Sequence, residues 1–227
     1  MSISENYQKI RKEIPDGVTI VLAGKTKTPG EIKEVIAAGA TDIGENYVQE
    51  AEEIFKSLGN SVEKARWHMI GHLQKNKINK ALEIFDVIQT VDSIKKAEDI
   101  NKRAEKIGKC ITVYIEINIG SELTKAGVKP EYHLVESLAK HISTLRYIKL
   151  GGLMTMGPRF GNPEDSRPYF RKTKHIFDNI KALHLPNANM NTLSMGMSNS
   201  YKVAIEEGSN MVRLGTIVFG ERECQLK

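Results

Sequence analysis

The chain has 227 residues, of which 40% are hydrophobic and 27% charged, an ordinary composition for a folded globular protein. No segment approaches the unbroken apolar length of a membrane span, and the first residues lack the basic start and apolar core of a secretory signal, so we expect a cytoplasmic protein. The net charge is +5, but the lysines are interspersed with acidic residues along predicted helices and only 6% of residues are aromatic. This pattern argues against nucleic-acid binding.

The first predicted βα unit places a lysine where a strand is followed by a helix. An apolar run over residues 19–24 ends at Lys25. Thr28 and Glu31 have the spacing of a capping box, and Pro29 occupies the first helical position. Partial burial at a strand end disfavours a charged ammonium group, and a neutral amine can attack a carbonyl carbon. Lys25 is therefore a candidate Schiff-base lysine, with an ordinary cation at a barrel rim as the alternative.

Strand-like and helix-like segments alternate through the rest of the chain. After the first strand, we predict strands at residues 41–44, 67–71, 87–90, 111–119, 148–154, 192–194 and 211–214. We predict helices at residues 7–12, 75–82 and 168–185. Four further helices are predicted by their starts, which lie near Asn46, after an N-cap at Asp92, at Pro130 and near Asn199. Eight βα units predict a single (β/α)8 TIM-type barrel domain over residues 1–227, with an extra N-terminal helix. An open doubly wound sheet is the alternative.

The fifth predicted strand has the most regular alternation of aliphatic and polar residues. In a closed barrel its aliphatic side would meet the helices, so Glu116 and Asn118 would point into the barrel near its upper mouth. No glycine-rich dinucleotide motif follows the first strand, and Lys25 occupies the place where such a motif would be expected. We therefore do not expect a nicotinamide dinucleotide cofactor.

The loops after the seventh and eighth strands have the composition of a phosphate site. Barrels often bind phosphate between these two loops. Ser198 is placed to cap the helix near Asn199, and Gly196 and Gly215 would allow close approach of the backbone to a ligand. A pair of tight turns beside a capped helix is the alternative interpretation.

The histidines and cysteines do not predict a metal site. His68 and His72 are four residues apart but span a strand end and a loop rather than one helical face. Cys110 and Cys224 have neither a disulfide framework nor the spacing of metal ligands.

The segments around Lys25 and at residues 43–50, 67–77, 152–154, 193–198 and 212–216 together resemble the pyridoxal phosphate homeostasis protein family. The resemblance extends over nearly the whole chain. It implies a fold-type III barrel like the N-terminal domain of alanine racemase, with pyridoxal 5′-phosphate (PLP) held as an internal aldimine. The family usually has a serine where this chain has Gly24, so a hydroxyl beside the lysine is missing.

By the same resemblance, eight residues would contact the cofactor: Lys25 at the aldehyde; Ser194, Ser198, Gly215 and Thr216 at the phosphate; Arg213 at the pyridine nitrogen; and Asn46 and Met154 against the ring. An always-charged guanidinium at the ring nitrogen opposes protonation of that nitrogen, which makes the cofactor a weaker electron sink. Racemases of this type obtain a second acid/base from an additional β domain.

These expectations predict a protein without robust catalytic activity, to which we assign no catalytic residue. It would hold PLP on Lys25, exchange it, and so support vitamin B6 and amino-acid homeostasis. PLP-accepting apoenzymes are candidate partners, and a monomer is expected. One alternative is a PLP-dependent amino-acid racemase that uses Lys25 as one base and His72 or Tyr47 as the other. A cofactor-free phosphate-binding barrel or an aldolase is a further alternative.

Overall fold

The structure is a computed structural model that describes residues 2–119, 126–157 and 161–221. Within these residues, eight parallel strands follow one another in chain order, and β8 pairs with β1 to close a barrel. The strands are β1 Thr19–Ala23, β2 Asp42–Glu45, β3 Arg66–Met69, β4 Val87–Val91, β5 Ile111–Ile117, β6 Ile148–Thr155, β7 Ala188–Ser194 and β8 Met211–Leu214. The predicted (β/α)8 barrel is therefore confirmed.

Helices surround the barrel, and one helix precedes the first strand, as predicted. Within the described residues the α-helices are α1 Ile3–Glu13, α2 Pro29–Ala37, α3 Val48–Leu58, α4 Ile78–Ile84, α5 Ile94–Lys106, α6 Tyr132–Ser143, α7 Arg167–Ala182, α8 Tyr201–Glu206 and α9 Thr216–Phe219. Short 3₁₀ helices cover Gly59–Lys64, Lys75–Lys77 and Pro163–Ser166. No helix in the described part of the chain is long and apolar enough to cross a membrane.

Alternation along the strands divides the apolar side chains into two layers. The outer layer is the large cluster that the helices cover, and it includes the β5 residues Ile111, Val113, Ile115 and Ile117. The opposite sheet face forms a small separate cluster inside the barrel, made of Val21, Val87, Tyr114, Met154 and Met211. The predicted inward direction of Glu116 follows from the same alternation, since Glu116 is two residues from Tyr114 and is buried.

The structure corrects the predicted N-cap of α5. Ser93 is the N-cap, and its hydroxyl accepts a hydrogen bond from the Lys96 backbone N–H at 3.3 Å. The carboxylate of Asp92, which we predicted to cap the helix, pairs with the Lys96 amine at 2.9 Å. The predicted cap was wrong because serine and aspartate are both good N-cap types, so residue type alone does not identify which of the two neighbours caps the helix.

Strands β6 and β7 approach each other closely at Gly152. A Cβ atom at this position would overlap the backbone carbonyl oxygen of Thr192, which cannot rotate away as a flexible side chain could. The β6–β7 pairing also shifts register between Leu150 and Gly152. A glycine is therefore required here by backbone packing.

We expect Gly152→Ala to lower the free energy of unfolding by about 3 kcal/mol, because the two strands must separate to admit the methyl group. Urea denaturation followed by circular dichroism measures the change. Gly17→Ala is the matched control, since nothing lies within 4 Å of a Cβ atom at Gly17. Equal stability of the two variants would contradict the close approach.

Candidate functional site

Lys25 lies two residues beyond the end of β1, in the short loop that leads to α2. The predicted capping box is confirmed: the Thr28 side chain accepts from the Glu31 N–H, and the Glu31 side chain accepts from the Thr28 N–H. Lys25 is partly exposed, and its amine lies 5.0 Å from the centre of the Tyr47 ring. Thr26, the next residue, has a positive φ of 67°. The strand end and the capped helix thus fix both sides of the lysine loop.

Arg213 lies inside the barrel and is almost completely buried. Its Nη1 donates to the Ser194 carbonyl oxygen at 2.9 Å and to the Ser194 hydroxyl at 2.7 Å, while its Nη2 donates to the Thr155 carbonyl oxygen at 2.7 Å. Burial lowers the pKa of Arg213 to about 10, and the nearby Glu116 carboxylate opposes this shift. The guanidinium therefore remains charged at neutral pH.

Glu116 stands beside two of the predicted site residues on neighbouring strands. Glu116 of β5 is in register with Met154 of β6, and Met154 is in register with Ser194 of β7. Burial, together with Asp92, raises the pKa of Glu116 to about 7. Its Oε2 has no hydrogen-bond partner among the described residues. The barrel interior thus holds an acidic group that can gain or lose a proton near neutral pH.

The loops after β7 and β8 meet, as predicted, but Ser198 has a different role from the one expected. Helix α8 begins at Tyr201 with Ser200 as its N-cap, so Ser198 does not cap it. The Ser198 hydroxyl instead accepts hydrogen bonds from the backbone N–H groups of Gly215 at 3.1 Å and Ile217 at 3.5 Å. Backbone donors from one loop therefore converge on a hydroxyl from the other.

The β8 loop lies directly beside the strand that leads to Lys25. A Cβ atom at Gly215 would be 3.7 Å from both the Cβ and the carbonyl oxygen of Ala23, two residues before the lysine. Thr216 begins α9 and is exposed. The lysine loop and the two converging loops therefore share one edge of the barrel.

Asn46 follows β2 and is partly exposed at the same barrel edge. Its backbone packs against Gly71, where a Cβ atom would overlap the Asn46 carbonyl oxygen. The loop after β3 therefore holds the Asn46 backbone in place.

The structure divides the eight predicted residues into groups. Ser194 and Arg213 are bonded to each other inside the barrel, and Ser198 and Gly215 are bonded to each other at the barrel edge. Because the Ser194 hydroxyl is engaged with Arg213, its contact with a phosphate group stays a prediction. His72, a candidate base of the racemase alternative, is exposed, whereas Tyr47 lies beside the Lys25 amine.

Glu45 is a buried carboxyl group behind the lysine loop that the sequence pattern did not single out. Glu45 is fully buried, and no donor among the described residues reaches either carboxylate oxygen with the geometry of a hydrogen bond. Burial and the nearby Glu50 raise the pKa of Glu45 to about 8, and the Asn46 backbone amide offsets this only in part. A Cβ atom at Gly24 would overlap Glu45 Oε1, so the carboxyl group occupies the volume of a side chain at position 24.

Three further polar residues inside the barrel were also missed as site residues: Asp42, His68 and Gln89. The signal that could have found them is strand alternation. Each is a polar residue at an inward-facing position of a predicted strand, on the face opposite the apolar residues that meet the helices.

The described residues contain no candidate metal centre. Among them, no group of three or more His, Cys, Asp or Glu side chains is arranged to hold a metal ion. Cys110 is an exposed free thiol, and Cys224 lies outside the described residues.

The chain matches known proteins over nearly its whole length. The family model "Alanine racemase, N-terminal domain" matches residues 1–223. A pyridoxal phosphate homeostasis protein from Aquifex aeolicus is 41% identical over 201 residues, covering 88% of this chain and 86% of the relative.

Two solved structures extend the comparison. PipY from Synechococcus elongatus, solved with PLP bound, is 30% identical with a TM-score of 0.87, and the match covers 96% of this chain and 100% of PipY. An alanine racemase from Clostridium difficile is 16% identical with a TM-score of 0.80, and the match covers 99% of this chain and 57% of the racemase. The second likeness concerns the fold alone.

The raised pKa of Glu45 predicts a pH-dependent stability. Between the ordinary glutamate pKa of 4.5 and about 8, the folded protein keeps a proton that the unfolded chain has lost. Raising the pH through this range therefore favours unfolding, by roughly a few kcal/mol in total. We expect Glu45→Gln to remove this contribution, which urea denaturation at a series of pH values measures.

Glu53→Gln is the matched control, because Glu53 is exposed on α3. The control should keep the wild-type dependence of stability on pH. An unchanged pH dependence in Glu45→Gln would show that Glu45 is ionised in the folded protein at neutral pH.

Proposed function

Because this chain belongs to the pyridoxal phosphate homeostasis protein family, within the alanine racemase N-terminal domain family, we propose that it binds PLP and exchanges it. The single observation that carries the proposal is the placement of three groups around one end of the barrel. These are the amine of Lys25, the converging donors at Ser198 and Gly215, and the buried guanidinium of Arg213. An amine, anion-binding donors and a cation match the aldehyde, phosphate and ring nitrogen of PLP.

Lys25 is the residue that we assign to the aldehyde. Its amine would condense with the aldehyde carbon to form a carbon–nitrogen double bond, and the aldehyde oxygen would leave as water. The position supports this role, because the lysine is partly exposed and lies at the carboxyl end of a barrel strand, where barrel enzymes place reactive groups. Another amine or water can reverse the bond and release the cofactor.

The loops after β7 and β8 are assigned to the phosphate. The Ser198 hydroxyl marks a point where the Gly215 and Ile217 N–H groups already converge on an oxygen atom. Thr216 adds a second hydroxyl at the same edge. Ser194 is assigned to this region by resemblance alone, since its hydroxyl proton is directed at Gln89 Oε1 and not at a phosphate oxygen. Neutral donors of this kind hold a phosphate without a fixed positive charge.

Arg213 is assigned to the ring nitrogen, and Asn46 and Met154 to the faces of the ring. A guanidinium cannot accept a proton and disfavours a protonated ring nitrogen. This arrangement limits the ability of the cofactor to stabilise a carbanion and supports a holding function over catalysis.

We further propose that the protein acts as a monomer in the cytoplasm and passes PLP to apoenzymes.

Borohydride reduction tests the covalent attachment. Reduction of the imine fixes the cofactor to its lysine, so peptide mass mapping should place the label on Lys25. The visible absorbance of the protein with PLP should also be lost in Lys25→Ala, because the amine that forms the bond is gone. Absorbance spectra and mass mapping measure the two effects.

Lys27→Ala is the matched control, since Lys27 lies two residues further on and pairs with Glu31 at 3.2 Å. It should keep the label at Lys25. A label on another lysine would contradict the assignment. The lack of any reducible adduct would favour a cofactor-free phosphate-binding barrel or an aldolase.

An amino-acid racemase is the second candidate function, favoured by two specific observations. The Tyr47 ring lies 5.0 Å from the Lys25 amine, and burial raises the pKa of Glu116 to about 7. Either group could serve as the second acid or base that racemisation requires.

Solvent-deuterium exchange separates the two functions. For a PLP-holding protein, we expect no catalytic incorporation of deuterium at the α-carbon of amino acids, because Arg213 weakens the electron sink. Proton NMR of alanine and other amino acids in D2O with the PLP-loaded protein measures this. Multiple turnovers that are lost in Lys25→Ala would establish the racemase instead.

A further inference from the structure

A line of hydrogen-bonded side chains crosses the barrel interior and ends at Arg213. The Arg213 Nη1 donates to the Ser194 hydroxyl at 2.7 Å, and this hydroxyl donates to Gln89 Oε1 at 2.8 Å. Gln89 Nε2 lies 3.0 Å from His68 Nδ1, and His68 Nε2 lies 2.8 Å from Asp42 Oδ1. We name these five residues, Asp42, His68, Gln89, Ser194 and Arg213, the interior chain.

Chemistry fixes the direction of every bond in the interior chain. Arg213 can only donate, so the single proton of the Ser194 hydroxyl goes to Gln89 Oε1. The amide nitrogen of Gln89 must then donate to His68 Nδ1. The imidazole proton is consequently on Nε2, directed at the Asp42 carboxylate. All the bonds run the same way, from a cation to an anion.

The charge states of the two groups at the far end agree with this direction. Burial lowers the pKa of His68, against the hydrogen bond to Asp42, so the ring is neutral and its Nδ1 can accept. Burial alone would raise the pKa of Asp42, but hydrogen bonds from His68 and Thr41 outweigh it and lower the pKa. Asp42 is therefore the anionic end of the interior chain.

The interior chain extends well away from the assigned cofactor residues. Asp42 is the first residue of β2, at the amino-terminal edge of the barrel, whereas Ser194 is the last residue of β7, at the opposite edge. Gln89 and His68 are fully buried between them. Burying these polar groups is costly unless each is paired, and each has a partner.

We propose that Gln89, His68 and Asp42 are positioning residues. They hold the Ser194 hydroxyl so that it accepts a hydrogen bond from Arg213, and this bond orients the guanidinium toward the ring nitrogen of PLP. This inference rests on the proposed function. Three N–H donors of Arg213 are occupied by Ser194 and Thr155. Two of its five donors have no partner among the described residues and can face a ligand.

The test compares the binding of two probes, PLP and its 1-deaza analogue, in which a C–H group replaces the ring nitrogen. We expect wild-type protein to bind PLP about tenfold more tightly, which corresponds to one hydrogen bond from a charged donor. Methionine is similar in size to glutamine but cannot hydrogen-bond to Ser194 and His68. In Gln89→Met the preference for PLP over the 1-deaza analogue should therefore fall to about threefold or less. Equilibrium titrations followed by absorbance measure both affinities.

Tyr114→Phe is the matched control. Tyr114 is a buried residue of the barrel interior whose hydroxyl lies outside the interior chain. The control should keep the wild-type preference. A purely structural role of Gln89 would weaken the binding of both probes equally and leave their ratio unchanged, and that result would overturn the proposal.

A second variant covers the case in which Gln89→Met does not fold. Asp42→Asn keeps the shape of the far end but removes the anionic acceptor, so it should also reduce the preference for PLP. Nitrogen NMR of His68 gives a readout that needs no ligand. The neutral ring with its proton on Nε2 supports the proposal, and a proton on Nδ1 would overturn it.

Failure of this inference can be told from failure of the proposed function. If borohydride fixes neither probe to any lysine, the function of holding PLP as an imine falls, and the positioning role falls with it. If both probes are fixed to Lys25 but the wild-type protein does not prefer PLP, Arg213 does not face the ring nitrogen. In that case only the positioning role is overturned.

Discussion

The burial of one permanently charged guanidinium is the constraint on which the barrel interior depends. The barrel interior includes a small apolar cluster, and a charged group placed beside it must receive acceptors for its protons. Arg213 obtains two from Ser194 and one from Thr155. The Ser194 hydroxyl, once it accepts, must donate to Gln89, and this requirement continues through His68 to Asp42. One buried cation thus accounts for a whole line of polar side chains.

Local patterns in the sequence predicted those features that depend on neighbouring residues alone. The alternation along β5 identified the barrel strand and the inward direction of Glu116, because strand side chains alternate with a period of two. The capping box of Thr28 and Glu31 located the start of α2. Lys25 was found because it follows a strand end. The predicted cap at Asp92 was wrong because its neighbour is also of a residue type that can cap a helix.

The features that the sequence did not predict depend on pairs of residues far apart in the chain. Gln89 and Ser194 are 105 residues apart, and only closure of the barrel brings them together. In the sequence, Glu45 is an ordinary polar residue at a strand end. Its carboxyl group is buried away from water because it packs against Gly24. Ser198 has a suitable position for a cap, but the β8 loop provides its donors. Local patterns carry no information about such partners.

The backbone of Thr26 has a consequence for the lysine loop. A positive φ in a β-branched residue costs on the order of 1 kcal/mol, so this turn is strained immediately after Lys25. The Thr26 N–H donates to the Glu50 carboxylate at 3.2 Å, which helps to hold the strained turn. Glycine or asparagine at this position would relieve the strain, because both adopt a positive φ more readily than a β-branched residue such as threonine, valine or isoleucine.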